Sequence, residues 1–314
     1  MLDLVAVGEY LIDFTPAGHG SMGNPTYEMN PGGAPTNCAA AVAALGGSSA
    51  IISAVGDDLF GRFLIKALKE FNIDERGVQL VSNIHTTLAF VSLTAHGERE
   101  FAFLRDPGAD TQLSKDLLDY SLLDACRNLH FGSLSLKHDP GREATYHAVR
   151  YAKQRGIQIS YDPNYRAPLW ESRSHAVHEL KNGLKYADVV KMSEDEMELL
   201  LDVPKSKPEE GVKQLLDMGI STCYITYGAK GAYYATAKEQ GFVNGFSVKA
   251  VDTTGCGDAF MGAAIYMQLY EPELPLALRI RFANAVGALC ATKMGGMMAM
   301  PRLEKVEEFL KLNK

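Results

Sequence analysis

The sequence predicts a three-layer α/β/α fold with a mainly parallel central sheet and a small β-sheet lid. Three observations lead there. Short apolar runs alternate with helix-length segments along most of the chain, the rhythm of parallel strands joined by crossover helices. Thr86 to Leu104 breaks that rhythm with two β-rich runs in succession. Polar clusters recur where the apolar runs end, and in open parallel sheets the carboxyl ends of the strands carry the ligand.

Taken in order, Leu4 to Gly8 is a buried-strand signal, followed closely by Asp13. Pro31-Gly32-Gly33 leads into a helix over Pro35 to Leu45, with Pro in its first turn and Gly46 at its exit. That helix is mostly alanine, so it can lie close against a sheet. Ala50 to Val55 is a strand. Phe60, Phe63, Leu64, Ala67, Leu68 and Phe71 then recur at helical spacing behind Asp57 or Asp58 as cap. Thr87 to Thr94 and Arg99 to Leu104 form a hairpin turning at His96-Gly97. With strands between Phe14 and Met29 it makes a second, small sheet. The lid therefore spans roughly 10–30 and 86–105 of a single domain covering 1–314. Ala89, Val91 and Leu93 face one way and Leu88 and Phe90 the other, so both faces are apolar. A small two-sided apolar hairpin needs a partner, which predicts a homodimer through the lid. Phe101 and Phe103 alternate onto one face, as lid packing or a dimer contact.

The rhythm resumes with strands over Leu129 to Gly132, Ile157 to Tyr161, Val189 to Met192 and Thr222 to Thr226. Helices are expected over Glu143 to Arg155, Glu194 to Leu201, Pro275 to Lys293 and Leu303 to Leu312, and a turn at Gly228 to Gly231. Phe246 to Val251 reads as one more strand. Five polar strand ends result: Asp13, Asp162 to Arg166, Lys191 to Glu194, Thr226 to Gly228, and the loop after Val251.

The 314 residues are 46% hydrophobic and 22% charged, enough for one large core. Net charge is −7 with no basic block, which argues against nucleic acid. Five scattered cysteines without a C-x-x-C indicate neither a disulfide framework nor a zinc site. The first residues are too short and acidic an apolar run for a signal peptide, and none spans a bilayer. A soluble protein of the cytoplasm is expected, with no membrane partner.

The chemistry centres on Asp252-Thr253-Thr254-Gly255-Cys256-Gly257-Asp258, a tight loop opening into the helix Ala259 to Tyr270. At a helix start the first N–H groups lack partners and carry the positive end of the dipole. Glycines let a substrate approach them, which suits a phosphate whose charge grows during transfer. Asp258, in the first turn, is placed to take a hydroxyl proton. Alone, such a motif is more readily a plain Gly-rich turn with an acid at the helix start.

Pro31-Gly32-Gly33-Ala34-Pro35-Thr36-Asn37, paired with Asp252 to Asp258, resembles the two signatures of ribokinase-like (PfkB) carbohydrate kinases. Gly8 to Phe14, His96 to Phe101, Phe103 to Arg105 and Ser160 to Asn164 look most like fructokinases. The resemblance implies ATP-dependent phosphorylation of a primary hydroxyl of fructose. It makes Asp258 the base and the backbone of Gly255, Cys256 and Gly257 an anion hole. Asp13, Gly32, Gly33, Asn37 and Arg105 would meet the sugar. Lys191, Ser193, Thr226, Gly228, Gly231, Gly257 and Asn284 would meet the nucleotide. Asn164 and Glu196 would hold Mg²⁺ through water, with Ser193 where the family often has asparagine. Asp252 and Thr254 resemble a K⁺ site, although relatives often carry a serine near Ala299. No G-x-x-x-x-G-K-[ST] loop is present, so this loop with Mg²⁺ must serve the phosphates. The alternatives within the family are a 2-keto-3-deoxygluconate kinase and a ribokinase. Outside catalysis stands a sugar-binding protein with an inactive kinase fold, against which the intact Gly255, Gly257 and Asp258 argue.

Overall fold

The computed structural model describes residues 1–93 and 99–313, with the side chains of 92–101 outside the description. The His96-Gly97 turn and the side chains of Leu93 and Phe101 therefore lie outside the described residues. In chain order the strands are β1 (Leu2–Val7), β2 (Leu11–His19), β3 (Pro25–Gly32), β4 (Ser49–Gly56), β5 (Ile73–Asp74), β6 (Val78–Val81), β7 (Leu88–Leu93) and β8 (Arg99–Leu104). They continue with β9 (Cys126–Phe131), β10 (Gln158–Tyr161), β11 (Val189–Ser193), β12 (Thr222–Thr226), β13 (Gly231–Thr236) and β14 (Gln240–Asn244). The α-helices are α1 (Ala34–Ala44), α2 (Leu59–Glu70), α3 (Tyr120–Asp124), α4 (Gly141–Gln154), α5 (Arg173–Leu184), α6 (Glu194–Leu201), α7 (Pro208–Asp217), α8 (Cys256–Tyr270), α9 (Leu276–Cys290) and α10 (Leu303–Leu312).

The large sheet runs β14-β13-β12-β11-β10-β9-β1-β4-β5, with β6 also beside β4. It is parallel from β12 to β5 and antiparallel at its β12-β13-β14 edge. Strand order reverses at β1, which pairs with β4 on one side and β9 on the other. That reversal opens a crevice at the carboxyl ends of the strands.

Alternation along each buried strand feeds two cores. Leu4 and Ala6 of β1 enter one, and Val5 and Val7 the other. Helices α1, α8 and α9 build the first core, and α4, α5, α6 and α7 the second. The alanines of α1 serve a tighter purpose than sheet packing. Gly262 of α8 crosses so close that a Cβ there would stand 2.6 Å from Ala41 Cβ. This crossing holds the middle of α8 against the later part of α1.

The small sheet runs β3-β2-β7-β8, with β2 and β7 parallel and the outer pairs antiparallel. Phe14 stacks on Phe90 at 4.6 Å and meets Phe60 of α2 edge-on at 6.1 Å. Ala89 and Val91 are buried, while Leu88 and Phe90 are half-buried.

One expected strand is absent. Phe246 to Val251 adopts no regular structure, although its apolar and polar residues alternate. Its chain leaves the β14 edge and crosses to α9, where the Val251 and Asp252 amides both donate to the Ala291 carbonyl. With no strand beside it, alternation has no ladder to join. Three polar strand ends, Asp13 within β2 and one crossing loop thus frame the crevice, not five strand ends.

Candidate active site

The loop before α8 ends in Gly255, whose left-handed φ of 78° turns the chain into the helix. Cys256, Gly257 and Asp258 are its first three residues. The Cys256 amide turns back to Thr253 O at 3.3 Å, whereas those of Gly255, Gly257 and Asp258 find no acceptor among the described residues. Among the described residues, the amides without an acceptor are thus those of Gly255, Gly257 and Asp258, while that of Cys256 is turned to Thr253. A Cβ on Gly257 would lie 2.7 Å from Lys191 Nζ. Glycine here lets the Lys191 ammonium stand directly against the helix start.

Asp258 is buried and held at both oxygens. Asn37 Nδ2 donates to Oδ2 at 2.8 Å, and Asn164 Nδ2 to Oδ1 at 3.1 Å. Burial, and then the nearby Asp162, push its pKa up to about 6, against Lys191, Asn37 and Arg166. A carboxylate poised there is ionised near neutrality and still basic enough to receive a proton. The amide oxygen of Asn37, Oδ1, is buried with no partner among the described residues. An orphaned buried acceptor beside a base is an unfilled binding position.

Asp13 lies on β2, where a Cβ on Gly32 would collide with its carboxylate. Gly32 and Gly33 therefore make room for protein groups, Asp13 and Glu9, rather than leaving open space. Asp13 keeps some surface open and accepts no hydrogen bond among the described residues. Burial of its carboxylate, then Asp252, push its pKa to about 7, and Asp258 adds to this while Arg166 opposes it.

Lys191 Nζ pairs with Asp162 Oδ2 at 2.8 Å, both buried. Burial works against its charge, but Asp162 and Glu196 outweigh that and raise its pKa. Asp162, Arg166 and Glu9 are the participants that sequence reasoning left without roles. Asp162 and Arg166 stood in the cluster at a strand end, and Glu9 in the Gly8 to Phe14 motif. Glu9 is buried, accepts from the Ala34 amide at 2.9 Å, and is pushed to about 7 by burial.

Other candidates are engaged otherwise. Arg105 is buried and gives its guanidinium to Asp110, at 2.6 and 2.9 Å, and to Leu134 O. Its donors are turned to that anchor rather than into the crevice. Ser193 and Glu196 form a capping box on α6, and Glu196 also accepts from the Tyr165 amide at 2.6 Å. Asp252 accepts from the amides of Thr254 at 2.8 Å and Gly295 at 3.1 Å, tying two loops together.

Beyond Gly257 lies a cavity of about 360 Å³, lined by Thr226, Gly228, Gly231, Asn284, Gly287 and Cys256 among others. Its walls are mostly apolar and backbone. Asn284 gives its amide to the carbonyls of Val243 at 3.1 Å and Asn244 at 3.2 Å, bracing the cavity rather than reaching into it.

Residues 1–303 match the pattern of the pfkB family carbohydrate kinases. Probable fructokinase-5 of Arabidopsis thaliana is 40% identical over 98% of this chain and 97% of its own length. The fructokinase of Xylella fastidiosa, solved with bound ATP, superposes with a TM-score of 0.90 at 30% identity, covering 100% of this chain and 99% of that one. The Vibrio cholerae fructokinase, solved with fructose, ADP and calcium, gives a TM-score of 0.88 at 34% identity, covering 98% and 99%. With both signatures meeting across one crevice, this chain belongs to the pfkB family of carbohydrate kinases.

Proposed function

We infer that the protein is a fructokinase, transferring the γ-phosphoryl group of ATP to a primary hydroxyl of fructose. The observation that carries this reading is Asp258, a buried carboxylate gripped by Asn37 and Asn164 at the start of an unsatisfied helix. The substrate follows from 40% identity to a relative named fructokinase over nearly the whole chain.

Asp258 takes the hydroxyl proton as the oxygen attacks. Asn37 and Asn164 hold its two oxygens in place, so little reorganisation accompanies the transfer. Asp13 and Asn37 Oδ1 accept from sugar hydroxyls; neither meets a donor among the described residues, and Asn37 Oδ1 is buried unpaired. The amides of Gly255, Gly257 and Asp258, with Lys191, receive the charge of the phosphoryl group. The cavity from Gly257 to Asn284 takes the nucleotide. Asn164 fits a hydrated Mg²⁺, since its amide is fixed on Asp258 and its Oδ1 stays available. Glu196 fits less directly, because both oxygens already accept. Mg²⁺ supplies charge neutralisation between the phosphates when bound. For K⁺, Asp252 orders the two loops whose carbonyls would be ligands, with Thr254 on one of them.

The small sheet, 10–30 with 86–105, serves as the lid of the single kinase domain. It also offers Tyr27, Met29 and Leu104, 42%, 37% and 61% exposed, to a second copy as a homodimer contact. Arg105 anchors the lid through Asp110 and reaches the sugar only when that pair opens. A cytoplasmic location agrees with the free state of all five cysteines.

A coupled ATP-consumption assay over fructose, ribose and 2-keto-3-deoxygluconate tests the reading. Fructose should give the highest kcat/KM. A higher value for either of the others reassigns the substrate, and binding of fructose without turnover supports the inactive sugar-binding alternative.

A further inference from the structure

Two cysteines meet behind the phosphate loop. Cys256 is the first residue of α8 and Cys290 the last of α9. Their side chains lie next to one another. Both also face carbonyls of one short loop: Cys256 Sγ lies 3.9 Å from Asp252 O, and Cys290 Sγ 3.8 Å from Thr254 O. The helices are held close at this point. A Cβ on Gly287, one turn before Cys290, would stand 3.2 Å from the Cys256 carbonyl.

The two thiols differ in access. Cys256 is half-buried and lines the nucleotide cavity, whereas Cys290 is fully buried. A small oxidant entering the cavity reaches Cys256 first. Cys290 lies behind it, buried beyond the oxidant's direct reach. This is the arrangement of an attacking and a resolving sulfur.

We propose that Cys256 and Cys290 form a reversible, hydroperoxide-responsive pair whose disulfide halts phosphoryl transfer. Cys256 sulfur attacks the hydroperoxide, the O–O bond breaks, and an alcohol leaves carrying the thiol proton. Cys256 is then a sulfenic acid. Cys290 sulfur displaces its hydroxyl, which leaves as water with the Cys290 proton, and the S–S bond forms. Two thiols and one hydroperoxide give one disulfide, one alcohol and one water. With hydrogen peroxide the alcohol is a second water.

The consequence for turnover rests on the reading of this loop as the phosphoryl site. Two neighbouring thiols must close to about 2.05 Å to form a disulfide. Cys256 stands between the amides of Gly255 and Gly257, two residues before Asp258. Drawing its sulfur toward α9 therefore turns the first turn of α8 and misaims the anion-binding amides.

The test treats the wild-type protein with hydrogen peroxide, with and without ATP, then alkylates and digests it. Mass spectrometry should find the peptides of Cys256 and Cys290 joined and two hydrogens lighter. Turnover should fall at least tenfold in parallel, return with dithiothreitol, and fall more slowly when ATP fills the cavity. Cys290→Ala should start active, form no link, and accumulate a sulfenic acid at Cys256 that a cyclic 1,3-dione traps. Absence of the Cys256–Cys290 link in the wild type overturns the pair and leaves the kinase reading intact. A link formed with turnover unchanged overturns the switch, and with it the role given to this loop. The wild-type mapping decides even where Cys290→Ala folds poorly.

Discussion

On the side of the crevice assigned to the sugar, Asp13, Asn37, Asn164 and Asp258 present side-chain atoms, two of them carboxylates pushed to about 7 and about 6. On the side assigned to the nucleotide, glycines, backbone and small apolar residues shape a cavity, and its one amide side chain braces a strand. The first side keeps polar groups in surroundings that do not fully satisfy them; the second recognises by shape. That difference has a thermodynamic side. Glu9, Asp13 and Asp258 all hold protons in the folded state that an unfolded chain would release between about pH 4 and 7. Their contribution to stability therefore falls as pH rises through that window. The sugar side is kept strained for function, and the apolar cores on both faces of the sheet offset it.

The largest effect that can break this contrast is at Asp258. Asp258→Asn keeps shape but removes basicity, so kcat should drop roughly 10²–10⁴-fold with fructose affinity little changed. Near-wild-type turnover in steady-state kinetics would remove Asp258 as the base. Next comes Asp13→Ala. Losing a buried sugar partner costs about 1–3 kcal/mol, so the fructose KM should rise about 5- to 150-fold while the ATP KM stays within a factor of two or so. Equal rises in both constants would merge the two sides.

The pH profile gives a smaller but sharper reading. Protonated Asp258 cannot accept a proton, so kcat/KM for fructose should fall as pH drops through about 6. Asp13, raised to about 7, should begin the decline slightly earlier. A flat profile from pH 8 to 5 contradicts both assignments. The smallest effect is on the nucleotide side. Asn284→Ala removes two hydrogen bonds to β14 carbonyls, costing about 1 kcal/mol each in stability. Tm should fall and the ATP KM rise only a few-fold. A rise above about 100-fold would make Asn284 a direct nucleotide ligand.

The same contrast explains what could be read in advance. Side-chain chemistry placed by a local signal was legible. Asp258 in the first turn of a helix, Glu194–Leu201 as a helix, and the strands of Thr222–Thr226 and Arg99–Leu104 all follow from neighbouring residues. The antiparallel β12-β13-β14 edge was not, because its last strands carry no distinctive pattern. Phe246 to Val251 misled for the converse reason, having a strand's pattern and no strand to pair with.

By itself the sequence determined the alternating fold, the loop and the acid that follows it, since glycine conformation, helix caps and side-chain period act within a few residues. Only the tertiary structure decided which atoms those residues would meet. Asn37 reaches Asp258 across 221 positions of chain, and Lys191 meets Asp162 across 29. It also decided that Arg105 is anchored by Asp110, that Glu196 caps its own helix, and that Cys256 and Cys290 lie next to one another. The reason is physical: burial, charge proximity and the raised pKa of a carboxylate are properties of the assembled surroundings, and no local stretch of sequence contains them.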